Sequence, residues 1–178
     1  IKAEKPDLVY TWGTSTTLGV VGAHDAVDPE RHVTDIPAIF TLVAYPAAAK
    51  VVPTFESSGR NVTGTTFLPP IQTQLAAIRS YRPFDALAVV YNPKETNSRI
   101  NVGQLRAQAE AQGFRLIEKP APMDDDGNPI GEAVPRLVRE AKAEGADFLY
   151  VGPDSFTAVH ADALTGTAIS HGLPLFAS

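Results

Sequence analysis

The chain has 178 residues, 44% of them hydrophobic, with a formal net charge of −5 and no cysteine. That length suits one domain or two small lobes with a real core, and the acidic balance provides no basic surface for nucleic acid. Missing thiols exclude disulfides, thiolate zinc sites and cysteine nucleophiles, and no apolar run reaches the roughly 18 residues of a membrane span.

Short apolar runs rich in β-branched and aromatic residues alternate with longer helical patterns. Leu8-Val9-Tyr10-Thr11-Trp12 predicts the first strand and Ala38 to Val43 the second. Residues 61–67 predict a weaker third. Ala86-Leu87-Ala88-Val89-Val90-Tyr91 is the clearest, followed by Phe114 to Glu118, Asp147 to Val151 and Leu173 to Ala177. Near-continuous apolar runs imply strands buried on both faces of a parallel sheet. Helices are predicted over Pro70 to Ser80, Ile100 to Gln112, Ala133 to Glu144 and Phe156 to Ser170. Glycines follow several of them, as C-cap residues do. The succession predicts an α/β fold of parallel βαβ units with right-handed crossovers. Residues 120–129, rich in Pro, Asp and Gly, read as a solvated loop, because the spacing of Asp124, Asp125 and Asp126 lacks the terminal Glu of a calcium loop.

Ligands in parallel α/β sheets bind beyond the carboxyl ends of the strands, so the turns leaving each strand carry the functional reading. Thr11 to Thr17 holds Gly13, Thr14 and Ser15, whose hydroxyls and free N–H groups suit either a helix cap or an anion such as a carboxylate. Tyr91 to Ser98 presents Asn97 and Ser98 in the same two ways. In Val151 to Phe156, Asp154 either caps a helix or pairs with a ligand ammonium. Tyr45 supplies an aromatic wall, and Thr65, Thr66 and Phe67 lie on a segment passing between two lobes. His24, His32, His160 and His171 are scattered. No nucleophile elbow, Walker A loop or dinucleotide fingerprint occurs. Hydroxyl and amide turns without an acid–base pair favour binding over turnover, with no metal and no cofactor expected.

Seven stretches in order carry a resemblance: Lys5-Pro6-Asp7-Leu8-Val9 with Thr11-Trp12-Gly13-Thr14; Asp35 to Phe40; Ser58 to Gly64; Leu68-Pro69-Pro70; Val89 to Ser98; Tyr150 to Ser155; and His171 to Ser178. The chain resembles, over nearly its whole length, the ABC-transporter substrate-binding protein family that includes the tryptophan/tyrosine-type binding proteins. The resemblance implies a type I periplasmic-binding-protein-like fold, two Rossmann-like lobes with parallel sheets closing on a ligand by a hinge. Residues 1–66 then form part of an incomplete first lobe and 67–178 most of the second. It nominates Thr14, Ser15, Thr65, Thr66, Asn97, Ser98 and Asp154 for the ligand's carboxylate and amino groups. Family members often carry an acid where this chain has Tyr45 before Pro46, so a charged wall has become aromatic.

The reading that follows is an extracytoplasmic, periplasmic-type solute receptor that hands an amino acid-like zwitterion to an ABC permease in the membrane. Tyr45, Phe67 and Trp12 would wall the side chain. A ligand-sensing domain of a signalling protein is the alternative within the fold. An α/β enzyme is the third reading, and it lacks the acid–base pair it needs. The chain begins Ile1-Lys2-Ala3-Glu4 without an initiator Met, which reads as a processed or truncated product whose upstream signal is not seen. An exposed apolar sheet edge and self-association are expected of it.

Overall fold

The computed structural model describes all 178 residues. They divide into two compact units, Ile1–Leu68 and Pro69–Ser178. No helix is long and apolar enough to cross a membrane.

The first unit is a parallel three-stranded sheet in the order β1 (Val9–Trp12), β2 (Ala38–Thr41), β3 (Val62–Gly64). The register pairs Trp12 with Thr41 and Phe40 with Gly64. A single short helix, α1 (Thr14–Val21), follows β1. Val9, Thr11, Ala38, Phe40 and Val62 point into the core with Val21, Val33, Val43 and Val51. Their neighbours on the strands face the other way. Tyr10 is 64% exposed and Trp12 63%, with Ile39 beside them. Burial on both faces, expected of every strand, therefore fails for β1 and β2: they alternate, as strands covered on one face do. β2 also stops two residues short of the expected Val43, because Leu42 takes a left-handed conformation with φ 53° and turns the chain out of the sheet. Arg60 fastens the unit's loops. Its guanidinium donates to the carbonyls of Val21 (2.5 Å) and Gly22 (2.8 Å) at the end of α1 and to Val51 (2.7 Å), satisfying carbonyls that a helix end leaves open.

The second unit is a doubly wound sheet in the order β5-β4-β6-β7, all parallel. Its strands are β4 (Ala86–Tyr91), β5 (Arg115–Pro120), β6 (Phe148–Val151) and β7 (Leu175–Ala177). Here the continuous apolar run of β4 is buried on both faces. Ala86, Ala88 and Val90 meet one core with α4 (Val134–Ala143) and α6 (Ala161–Ser170). Leu87 and Val89 meet the other with α2 (Ile71–Tyr81) and α3 (Thr96–Gln112). One turn of 3₁₀ helix, Gly131–Ala133, precedes α4.

The single helix expected over Phe156 to Ser170 is two: α5 (Ser155–Val159) and α6, broken at His160. At 3.6 residues per turn, a straight helix would rotate Leu164 and Ala168 roughly 80° and 120° away from Phe156. The break returns all three to one core. Likewise α3 begins at Thr96, four residues before the expected Ile100.

Asp147, in the turn before β6, accepts from the backbone N–H groups of Asp85 (2.8 Å) and Ala86 (2.9 Å). The Asp85 bond is the largest influence and holds its carboxyl below the ordinary aspartate range against the opposing effect of burial, with the Ala86 bond and the nearby charges of Arg82 and Lys142 adding to it. A depressed folded value means the stabilisation is complete above about pH 4, the unfolded value, and is lost as pH falls through the folded one. Asp147→Asn is expected to remove that step from the stability–pH profile. Acid limbs of equal slope in the two proteins, measured by urea unfolding, would refute it.

Candidate functional site

In the second unit, β4 leads to β5 on one side and the chain then crosses back to β6 on the other. This is the topological switch point, and the crevice lies beyond the carboxyl ends of β4 and β6. Three of the expected residues meet there: Asn97, Ser98 and Asp154.

Asp154 is the N-cap of α5, and its Oδ1 accepts from the N–H of Thr157 at 2.9 Å. Its Oδ2 accepts from the N–H of Asn92 (2.7 Å) and from the hydroxyl of Ser98 (2.6 Å). One buried carboxylate thus joins the turn after β4, the start of α3 and the start of α5. Of the two roles open to Asp154, capping is the one its contacts display. Glu95 adds a second carboxylate at the same helix start, accepting from the N–H and the hydroxyl of Ser155 at 2.9 and 2.8 Å. The beginning of α5 is therefore occupied by protein acids.

The start of α3 differs. No side chain caps it. Asn97, 8% exposed, donates its amide to the carbonyl of Pro153, while its Oδ1 is buried without a partner. A buried acceptor left open costs on the order of 1–3 kcal/mol, and the carboxylates of Glu95 and Asp154 lie close by in the same hydrogen-bond web.

The start of α1, in the first unit, is also uncapped. Its N-cap is Gly13 with φ 81°, a conformation only glycine takes without strain. Gly13 N–H is fixed to the carbonyl of Thr41 at 3.0 Å. The Thr17 hydroxyl donates to the carbonyl of Gly13 at 2.7 Å and lies 3.0 Å from that of Thr11. Thr14, 4% exposed, has a buried hydroxyl with no partner. No acid stands in the first turn, so the positive end of the helix dipole is uncompensated.

The remaining expected residues are spread through the first unit. Ser15 is exposed at the second position of α1. Thr66 donates to the carbonyl of Ala44 at 2.9 Å, which straps residues 65–67 to the turn holding half-buried Tyr45. Thr65 N–H bonds the carbonyl of Phe40 at 3.2 Å. Phe67 is exposed. Sequence reasoning missed Asn92 and Glu95 as anchors, although both lie in a turn it had singled out. It also missed Gln74 and Asn101, whose signal was legible: each is a polar residue on the apolar face of its helix, Gln74 among Ile71, Leu75 and Ile78, Asn101 beside Val102 and Leu105. No group of three or more His, Cys, Asp or Glu side chains is placed to hold a metal ion.

The profile of the family described as ABC transporter substrate binding protein matches residues 1–178. Among curated proteins, the chain is 28% identical over 177 residues to the tyrosine-binding protein of Clostridioides difficile (strain R20291), covering 99% of this chain and 46% of that protein. Among solved structures, a conserved domain protein from Vibrio cholerae superposes with TM-score 0.79 at 27% identity, over 99% of this chain and 54% of the other. An ABC domain from Streptococcus pneumonia, solved in complex with L-Trp, has the same fold, with TM-score 0.78 at 23% identity over 99% and 55% of the two chains. The chain spans about half the length of these relatives. Its match to the family runs from end to end, and the chain belongs to the ABC transporter substrate-binding protein family.

Proposed function

We propose that this chain is the recognition part of an extracytoplasmic receptor that binds an amino acid and delivers it to an ABC permease, without catalysing a reaction. The observation carrying this reading is the pair of uncapped helix starts, each with a buried polar atom lacking a protein partner: the Thr14 hydroxyl in the first unit and Asn97 Oδ1 in the second. In the first unit, the N–H groups and dipole of the α1 start, with Thr14 and Ser15, favour an anionic group such as a carboxylate. In the second unit, the α3 start is the ammonium subsite: Asn97 Oδ1 is open to accept a hydrogen bond, Ser98 is held in place, and Asp154 and Glu95 supply negative charge. Tyr45 and Phe67, on the turn and the 65–67 strap that Thr66 joins in the first unit, offer aromatic rings to a ligand side chain. An aromatic amino acid is the favoured ligand, since the C. difficile relative is named for tyrosine and the S. pneumonia fold neighbour was solved with L-Trp.

Calorimetry on the full-length protein is expected to show saturable one-site binding of L-tyrosine or L-tryptophan. No heat with either, nor with any other zwitterionic amino acid, rejects the reading. Through the uncovered face of Tyr10, Trp12 and Ile39, the isolated 178-residue chain is expected to self-associate. Light scattering at micromolar concentration decides this, and the mass of a single chain rejects it.

A further inference from the structure

Gln74, Asn101 and Tyr150 lie inside the second unit, 2%, 1% and 0% exposed. Their polar groups form one continuous chain. The Tyr150 hydroxyl donates to Gln74 Oε1 at 2.8 Å and accepts from Asn101 Nδ2 at 3.0 Å. Gln74 Nε2 donates to the carbonyl of Pro69 at 2.8 Å. The three residues stand on α2, α3 and β6, surrounded by Ile71, Leu75, Val89, Val102, Leu105 and Phe148. Burial pushes the Tyr150 hydroxyl's pKa up, so it stays a neutral donor.

Stability alone does not ask for this arrangement. Apolar side chains of similar shape would pack there without desolvating three polar groups. What a satisfied buried network adds is a fixed mutual placement of the elements it joins. The elements joined here lead to the α3 start. Asn101 lies one helical turn beyond Asn97, on the same face. Its side-chain oxygen lies 2.4 Å from where a Cβ on Gly152 would go, so any larger residue there would have to displace the Asn101 amide. Gly152 opens the turn that carries Asp154, and Tyr150, on β6, lies two residues before Gly152. At the far end, Gln74 grips Pro69, the residue by which the chain enters the unit.

We propose that Tyr150, with Gln74 and Asn101, is a positioning group for the ammonium subsite, locking the α3 start and the Gly152–Asp154 turn to the segment that leads into α2. The inference rests on the function proposed above for that subsite. None of the three touches the ligand. They act through Asn97, Ser98 and Asp154.

The test uses the full-length protein, titrated with L-tyrosine and L-tryptophan by calorimetry, with thermal unfolding in parallel. Tyr150→Phe keeps the ring and its stack on Phe176 (6.0 Å between centroids) but takes the donor from Gln74 Oε1 and breaks the link to Asn101. It is expected to bind about tenfold more weakly and to melt earlier. The double variant Gln74→Leu/Tyr150→Phe removes the stranded amide oxygen, so its melting temperature is expected to recover in part while its affinity stays low. Affinity that recovers together with stability in the double variant, or Tyr150→Phe binding like wild type, overturns the proposal. Wild-type protein that binds neither these nor any other zwitterionic amino acid overturns the proposed function and this inference with it, and the wild-type titration alone separates that failure from the other.

Discussion

Replacing Asp154 by Ala is expected to lower the stability of the second unit by about 3 kcal/mol. The helix cap on Thr157 accounts for about 1 kcal/mol. The rest comes from the N–H of Asn92 and the hydroxyl of Ser98, which lose their acceptor in a part-buried site at on the order of 1 kcal/mol each. Asp154→Asn is the informative companion. Its oxygen still caps Thr157, but its NH₂ now faces two donors, so a smaller loss is expected. Urea unfolding of the full-length protein, followed by a probe in the second unit, reads both. A loss below about 1 kcal/mol for Asp154→Ala would mean that the carboxylate does not hold these three donors together. Ligand affinity is expected to fall alongside, because Ser98 and the turn after β4 are anchored by the same two oxygens.

The sequence carried the fold well where burial was complete. β4 is apolar along its whole length, as a strand covered on both sides is, and it is an interior strand of the second sheet, buried at five consecutive positions. The first unit was read too simply. Val9 to Trp12 looks as apolar as β4, yet Tyr10 and Trp12 face outward. Composition cannot distinguish a strand buried twice from one that shows aromatic side chains on an uncovered face. Helix ends were misplaced where tertiary packing set them, as at His160, where the core's demand for Phe156 and Leu164 on one side outweighed the local preference for a single helix.

The candidate site was legible to the level of turns, not of atoms. All three turns were found from the strand-to-helix pattern. Which helix starts are filled by the protein and which are left open depends on long-range bonds, such as Ser98 to Asp154 or Glu95 to Ser155, between residues 56 and 60 positions apart. No local rule reveals them. The different electrical states of the α3 and α5 starts are therefore a property of the sheet order. That order puts the turns after β4 and β6 side by side.

Thr14→Val is expected to separate function from stability most cleanly. Valine has the shape of threonine without its hydroxyl. The Thr14 hydroxyl is buried and has no partner within the protein, so removing it relieves a desolvated group. The first unit is expected to melt at the same temperature or higher, by an amount equivalent to about 1 kcal/mol. If the hydroxyl serves the ligand's carboxylate, the same variant loses a hydrogen bond to a charged group, a bond of about 1.5–3 kcal/mol. Affinity for the amino acid is then expected to drop by roughly ten- to a hundredfold. A residue kept for folding shows the reverse pattern, with lowered stability and intact binding. Thermal unfolding and calorimetry on the same full-length preparation distinguish the two. A less stable variant of unchanged affinity would remove Thr14 from the site and with it the reason for placing the carboxylate at the start of α1. The opposed signs make this outcome hard to mimic by general damage to the fold, since damage lowers both quantities together.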